Sequence, residues 1–301
     1  MSQTYIVNAT LLNVRGTPHI TSDNIVGRLG QGEVVEKVSN APTGWIQIRS
    51  GNLQGFASAS FMTETSAAVV TLEPPRVSIP PQANFPPNNR AMLTSTEMRH
   101  CPLGKWAILH RQPAQTDPAR ITELHGIVAA LDVEHSARYK PTTKSTFCNI
   151  YAYDYCFTAG VYLPRVWWMD KALIEISRGE QIPVVYGKTV RELNANSLFN
   201  WLTEWGDEFG WRSCATAHDL QIEVNLGRVG LICAQRADLS RSGHIVAVLP
   251  ETSSRQAVRG NSTVTAPLQS QAGARNKQYF CNQWWIDRGS EFRAHGFWVH
   301  D

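Results

Sequence analysis

A cysteine opening a helix and a histidine opening a strand can pair as a nucleophile and its base. This chain holds such a pair. In the run Ser145-Thr146-Phe147-Cys148-Asn149-Ile150, Ser145 or Thr146 is a good N-cap, which places Cys148 within the first helical turn. A thiol there meets the positive end of the helix dipole and unpaired backbone N–H groups, both of which favour thiolate. Cys156 falls deep in the same predicted helix and reads as an inert buried thiol. His244 follows the turn residues Ser242-Gly243 and opens the apolar run Ile245 to Leu249. That setting holds an imidazole at the rim of a sheet, within reach of a helix end packed on it. His295 and His300 also flank strand-like residues and compete for the role. His100, His110, His125, His135 and His218 lie in or near helices or loops without such a setting.

A third group should accept from the far nitrogen of the imidazole and hold it in place. The next predicted strand, about Thr263 to Gln271, returns antiparallel, so its far end falls opposite His244. That nominates Gln269, Gln271 or Asn276, with Gln271 preferred because the strand ends nearest the histidine there. Asp154 lies on a different helical face from Cys148 and reads as a structural hydrogen-bonding residue.

The elements that must position these groups follow from periodicity. Pro118 to Leu131 places Ile121, Leu124, Val128 and Leu131 at helical spacing behind an initial proline. Cys148 to Ala159 is apolar nearly all round and ends at Gly160, as a buried helix does. Ser197 to Phe209 and Ala215 to Leu226 read as further helices. Then the period changes, and Val229 to Ala234, His244 to Leu249, Ser262 to Ser270 and Phe292 to His300 read as strands. Helices first and strands later predict an α+β fold with an antiparallel sheet.

Upstream, the pairs Pro74-Pro75, Pro80-Pro81 and Pro86-Pro87 fall in a segment, 66–95, that reads as a semi-rigid spacer. Residues 1–65 form short β-rich runs bounded by Gly27, Gly30, Gly32 and Gly44, with a tight turn at Ser50-Gly51-Asn52. A small barrel or sandwich fits them. The expected organisation is therefore 1–65, a linker over 66–95, and a body over 96–301.

Composition excludes several classes. With 43% hydrophobic residues the chain can bury a sizeable core and is not disordered. Its 28 Lys and Arg against 25 Asp and Glu leave +3, too weak for a nucleic-acid-tracking surface. No apolar run approaches the length of a membrane span. Residues 1–6 lack the character of a signal peptide, so synthesis in the cytoplasm is expected. The six cysteines form no Cys-x-x-Cys pair and the nine histidines no His-x-x-x-His unit, so no metal is expected.

Two resemblances join these readings. Leu12-Asn13-Val14-Arg15, Ile25-Val26-Gly27, Gly44-Trp45 and Gly55-Phe56 resemble a bacterial SH3 domain, commonly a targeting module of cell-wall hydrolases. Tyr139-Lys140-Pro141, Thr146-Phe147-Cys148-Asn149, Phe209-Gly210-Trp211-Arg212, Gly243-His244-Ile245-Val246 and Gln271-Ala272-Gly273-Ala274 form an ordered series over roughly 135–280. Together they resemble a papain-like cysteine hydrolase of the NlpC type and related phage endolysins. Phe147 and Asn149 depart from the commoner Asp-Cys-Ser pattern. The resemblance implies Cys148 as nucleophile, His244 as base, Gln271 as orienting residue and Tyr139 at the active-site mouth. It implies no organic cofactor, and peptidoglycan stem peptides as substrate, cut by an endopeptidase or amidase. Action at the wall or periplasm then follows phage-type release or dedicated secretion. A toxin or effector that cleaves or deamidates a protein, and a catalytically inactive wall-binding protein, are the alternatives.

Overall fold

Alternating apolar residues between glycines produce seven strands among the described residues of the first 65. These are β1 (Thr4–Val7), β2 (Leu11–Arg15), β3 (Ile25–Gly30), β4 (Val34–Asn40), β5 (Trp45–Ser50), β6 (Leu53–Ser58) and β7 (Met62–Thr65). They form one sheet in the order β3-β2-β6-β5-β4-β1-β7, with neighbours antiparallel. Val14, Val35, Ile48 and Ala57 are completely buried within it. Gly51 takes φ 57° in the turn where Ser50 pairs with Leu53, a backbone region that glycine enters without strain.

The computed structural model describes residues 3–9, 11–19, 24–41, 44–51, 53–66, 79–84, 99, 117–287 and 289–301. Most of the proline-rich 66–95 segment, and Cys101, therefore lie outside the described residues. The chain divides into two compact units, Met1–Ala83 with Trp168–Arg191, and Asn84–Trp167 with Glu192–Asp301.

The remaining elements are α1 (Asp117–Leu131), α2 (Cys148–Thr158), β8 (Val166–Trp168), α3 (Asp170–Ser177) and β9 (Val190–Glu192). They continue with α4 (Ala195–Glu204), β10 (Arg212–Cys214), α5 (Ala217–Val224), β11 (Val229–Arg236) and β12 (His244–Val248). The chain ends with β13 (Val258–Gly260), β14 (Thr263–Ala266), β15 (Gln269–Gln271), β16 (Lys277–Phe280), α6 (Trp284–Asp287) and β17 (Phe292–His300). β8 and β9 pair at the two ends of the excursion that belongs to the first unit. Within that unit α3 buries Ala172, Leu173 and Ile176, and Trp168 Nε1 donates to the Pro81 carbonyl at 2.7 Å.

The second unit is mixed helix and sheet. Its main sheet has six strands in the order β10-β17-β11-β12-β15-β16, with all neighbouring pairs antiparallel. On one face Leu220 and Val224 of α5 and Trp284 and Trp285 of α6 pack against Ile232, Ala234, Val246 and Val248. The opposite face meets α2 and α4, with the Cys233 thiol against the Ala195 carbonyl and Gln235 Nε2 donating to Asn200 Oδ1. A strand covered on both faces needs apolar residues without alternation, as Val229 to Ala234 supplies.

The helix caps differ in one respect that matters. α4 and α5 start on side-chain caps, Asn194 accepting from the Ser197 amide and Thr216 forming a capping box with Asp219. α2 starts on Phe147, which has no side-chain cap hydrogen bond, in place of the expected Ser145 or Thr146. The predicted strand over Ser262 to Ser270 is also divided. Pro267 has no N–H for a ladder, so β14 pairs with β13 while β15 alone joins β12.

Candidate functional site

The uncapped start of α2 holds Cys148 as its first residue, with 2% of its surface exposed. The backbone amides of Ile245, Asn149 and Cys148 itself face the sulfur and favour its thiolate. Burial acts in the opposite direction and is the larger effect, so the thiol is pushed above its ordinary value. The expected depression by the helix end is thus corrected: desolvation outweighs it. Cys156 is completely buried and pushed up further by the same cause, with no opposing amide.

The amide from Ile245 locates the sulfur beside the start of β12, where His244 precedes Ile245 in the chain. His244 stands opposite Ala234 in the ladder. Its entry to the strand requires glycine at 243, because an added Cβ would meet the Ala234 carbonyl and lie 2.6 Å from Asn196 Oδ1. Asn196 secures the same loop from both ends. Its Nδ2 donates to the Arg241 carbonyl at 2.8 Å, and its Oδ1 accepts from the Arg236 amide at 2.9 Å.

His244 Nε2 lies 2.7 Å from Gln271 Oε1. The Gln271 amide is oriented by its own nitrogen, which donates to the Arg275 carbonyl at 3.0 Å. With Nε2 of the glutamine committed as a donor, its oxygen faces the imidazole as an acceptor. Neutral His244 therefore carries its proton on Nε2 and its basic lone pair on Nδ1. The ladder explains the meeting: Ala247 pairs with Ser270 and Val248 with Gln269, so Gln271 lies toward the His244 end of β12.

The other two nominees for the third position are engaged elsewhere. Gln269 Nε2 donates to the carbonyls of Pro267 and Asn282, while its Oε1 accepts from Trp284 Nε1 at 2.8 Å. The Trp284 ring then stands edge-on to His244, with centroids 4.7 Å apart. Gln269 thus fixes the aromatic wall behind the imidazole. Asn276 donates to the carbonyls of Val133 and Tyr139 and accepts from the Gly273 amide. Of the competing histidines, His295 lies among the rings of Trp285 and Phe297, where burial lowers its pKa. His300 Nε2 is within 2.9 Å of the Phe209 carbonyl.

Tyr139 is placed differently from the expectation that it shapes the mouth. It is 1% exposed, and its hydroxyl donates to Asp154 Oδ2 at 2.8 Å. Asp154 also receives a two-pronged contact from Arg138, at 2.6 and 2.9 Å. Tyr139 is a buried brace for α2, because a carboxyl group enclosed within the protein requires hydrogen-bond partners. Tyr151, edge-on to Tyr139 at 5.3 Å, meets Ser270 Oγ at 2.5 Å and so ties α2 to β15 beside Gln271.

A groove of about 950 Å³ is lined among others by Phe147 and Asn149, which flank Cys148 in the chain, and by Ser242 and Ala274, close in sequence to His244 and Gln271. Asn149 is itself anchored, its Nδ2 donating to the Leu193 carbonyl at 3.0 Å. Among the described residues, no group of three or more His, Cys, Asp or Glu side chains is placed to hold a metal ion. The five described cysteines are free thiols.

Sequence reasoning missed Asn196 and Trp284 as supports of His244. The signal for Trp284 was present in the doublet Trp284-Trp285, which reads equally well as ordinary core. Asn196 offered none, since it falls just before the helix expected from Ser197, although the observed helix starts at Ala195 and buries it.

No family model matches the chain. No curated protein matches it either. Among solved structures it resembles NlpC2 of Trichomonas vaginalis at 9% identity and TM-score 0.26, covering 99% of each chain. It resembles NlpC1 of the same organism at 11% identity and TM-score 0.26, covering 99% of this chain and 94% of that one. At such scores the likeness carries no argument about chemistry.

Proposed function

We propose that the chain is a cysteine hydrolase of amide bonds, with Cys148 as nucleophile, His244 as base and Gln271 holding the imidazole. The observation that carries this reading is the His244–Gln271 contact, which leaves Nδ1 as the basic nitrogen in a strand whose next amide faces the Cys148 sulfur. In the proposed reaction the Cys148 thiol gives its proton to His244 Nδ1 as sulfur adds to the amide carbonyl carbon. Burial disfavours the thiolate, so in this reading proton transfer accompanies attack rather than preceding it. Amides at the uncapped start of α2 stabilise the oxyanion. The C–N bond breaks, His244 protonates the departing amine, and an acyl thioester remains on Cys148. Water then attacks the thioester, His244 taking its proton, and the acid leaves with the thiol restored.

The substrate in this reading is a peptidoglycan stem peptide, and the all-β N-terminal region serves as an SH3-like wall-targeting module. Residues 66–95 are the linker and 96–301 carry the hydrolase, a papain-like arrangement that acts at the cell wall. Purified protein should release new amines and defined muropeptides from sacculi, read by mass spectrometry, and Cys148→Ala should abolish the release. Sacculi left equally intact by both proteins would sink the wall-hydrolase reading. Cleavage or deamidation of soluble proteins instead would support an effector.

A further inference from the structure

The groove beside Cys148 is unevenly charged. Among the described residues its lining includes Arg99, Lys144, Arg165, Arg236 and Arg241, but only one carboxylate, Glu192. Three of these cations are committed to the wall itself. Arg99 stacks 3.9 Å from the Phe147 ring centroid and donates to the carbonyls of Ala137, Arg138 and Lys140. Arg165 is paired with Glu192 at 2.7 Å. Arg236 is paired with Glu291 at 2.5 Å and donates to the Ser242 carbonyl.

Lys144 and Arg241 are different. Both are exposed, and among the described residues neither side chain makes a hydrogen bond or an ion pair. Arg241 has a through-space attraction to Asp238, whose carboxylate is already held by the hydroxyl and amide of Ser240. Each cation occupies a meaningful place in the chain. Lys144 is in the loop that delivers Cys148 to the start of α2, and Arg241 is in the loop that delivers His244 to β12. The two reactive groups are therefore each preceded by an uncommitted positive charge on the same groove.

We propose that this groove selects peptides bearing a carboxylate close to the scissile amide, and that Lys144 and Arg241 are the side chains that recognise it. The inference rests on the hydrolase reading for the scissile bond, but the charge recognition itself is independent of chemistry. A carboxylate accepts several hydrogen bonds and suits both an ammonium and a guanidinium, whereas a carboxamide brings its own donors toward two cations. The volume accommodates a short peptide.

The test separates binding from cleavage. The probes are N-acetylated, C-amidated alanine pentapeptides in which one glutamate or one glutamine occupies each position in turn. Binding is measured to Cys148→Ala protein, which cannot turn the peptides over. At one or two positions the glutamate peptide should bind about three- to tenfold more tightly than its glutamine partner, and added salt should erode the difference. In a Cys148→Ala/Lys144→Gln/Arg241→Gln protein that ratio should fall to about one. Equal binding of each acid and amide pair overturns the proposal, as does a preference that survives the two substitutions. Both substituted positions are exposed, and an unchanged thermal midpoint confirms that the fold is kept. Failure of the hydrolase reading is seen separately, as wild-type protein that binds the acidic peptides selectively and cuts no amide.

Discussion

His244 and Gln271 meet at 2.7 Å, and the glutamine amide is turned toward the imidazole by its second bond, to the Arg275 carbonyl. One side chain therefore sets both the ring orientation and the tautomer. In the proposed reaction, that fixed ring is what lets His244 act as the base.

Gln271→Ala should lower kcat by about ten- to a hundredfold, less than the roughly 10²- to 10⁴-fold that general-base catalysis contributes, because the imidazole itself remains. KM should change less, because the amide touches the imidazole rather than the substrate. Gln271→Glu keeps an acceptor facing His244 and should recover part of the loss, while raising the pH at which the imidazole loses its proton. Steady-state kinetics from pH 5 to 9 resolve these effects. A purely structural glutamine would give equal losses in both variants and an unshifted profile.

Gly243→Ala tests the approach of the loop to β12. The new methyl would collide with the Ala234 carbonyl and crowd Asn196 Oδ1, two groups that are themselves fixed. The chain must shift, at a cost of about 1–3 kcal/mol, the usual range for overpacking. Denaturant unfolding should show that loss, and activity should fall further than stability alone explains because His244 moves with the loop. Wild-type stability in this variant would remove the close approach from the account.

Tyr139→Phe separates a brace from a substrate contact. The substitution deletes one donor to the buried Asp154 and leaves the Arg138 pair in place. Stability should drop by about 1–3 kcal/mol, as for a buried hydrogen bond to a charged acceptor. KM should stay near the wild-type value, since the ring is enclosed within the protein. A large rise in KM with unchanged stability would restore Tyr139 to the mouth.

The legibility of this chain varied with the distance over which each feature is determined. The helix at Cys148 and the strand at His244 were readable because both depend on local pattern. The place of Gln271 was readable because an antiparallel return fixes which end of a strand faces which, even though Pro267 divides the segment into β14 and β15. The N-cap was misread because Phe147, with no capping oxygen, stands where two better cappers precede it. α3 went unread although Ala172, Leu173 and Ile176 share a helical face. The upward shift of the Cys148 thiol was not readable at all. Burial is a property of everything packed around the sulfur, whereas the helix end that favours thiolate is visible in a dozen residues.

That same burial has a consequence for stability at alkaline pH. Cys148, Cys156 and Cys233 are all buried, and desolvation pushes each above the ordinary thiol value of 9.0. Tyr151 is shifted upward by burial, and Tyr153 is pushed up to about 12, from an ordinary value of 10.0. For every one of these groups the unfolded chain releases its proton at lower pH than the folded chain. The folded state therefore binds more protons above about pH 9, and stability must fall as pH rises there. The contribution is fully present below the unfolded values and is lost as pH climbs through the folded ones. Urea midpoints should be flat in this respect up to about pH 8.5 and decline steadily from 9 to 11. Replacing Cys156 with alanine, at some cost in packing, should make the decline shallower because one of the shifted groups is gone. A midpoint independent of pH across that window would show that these thiols and phenols reach water in the folded protein.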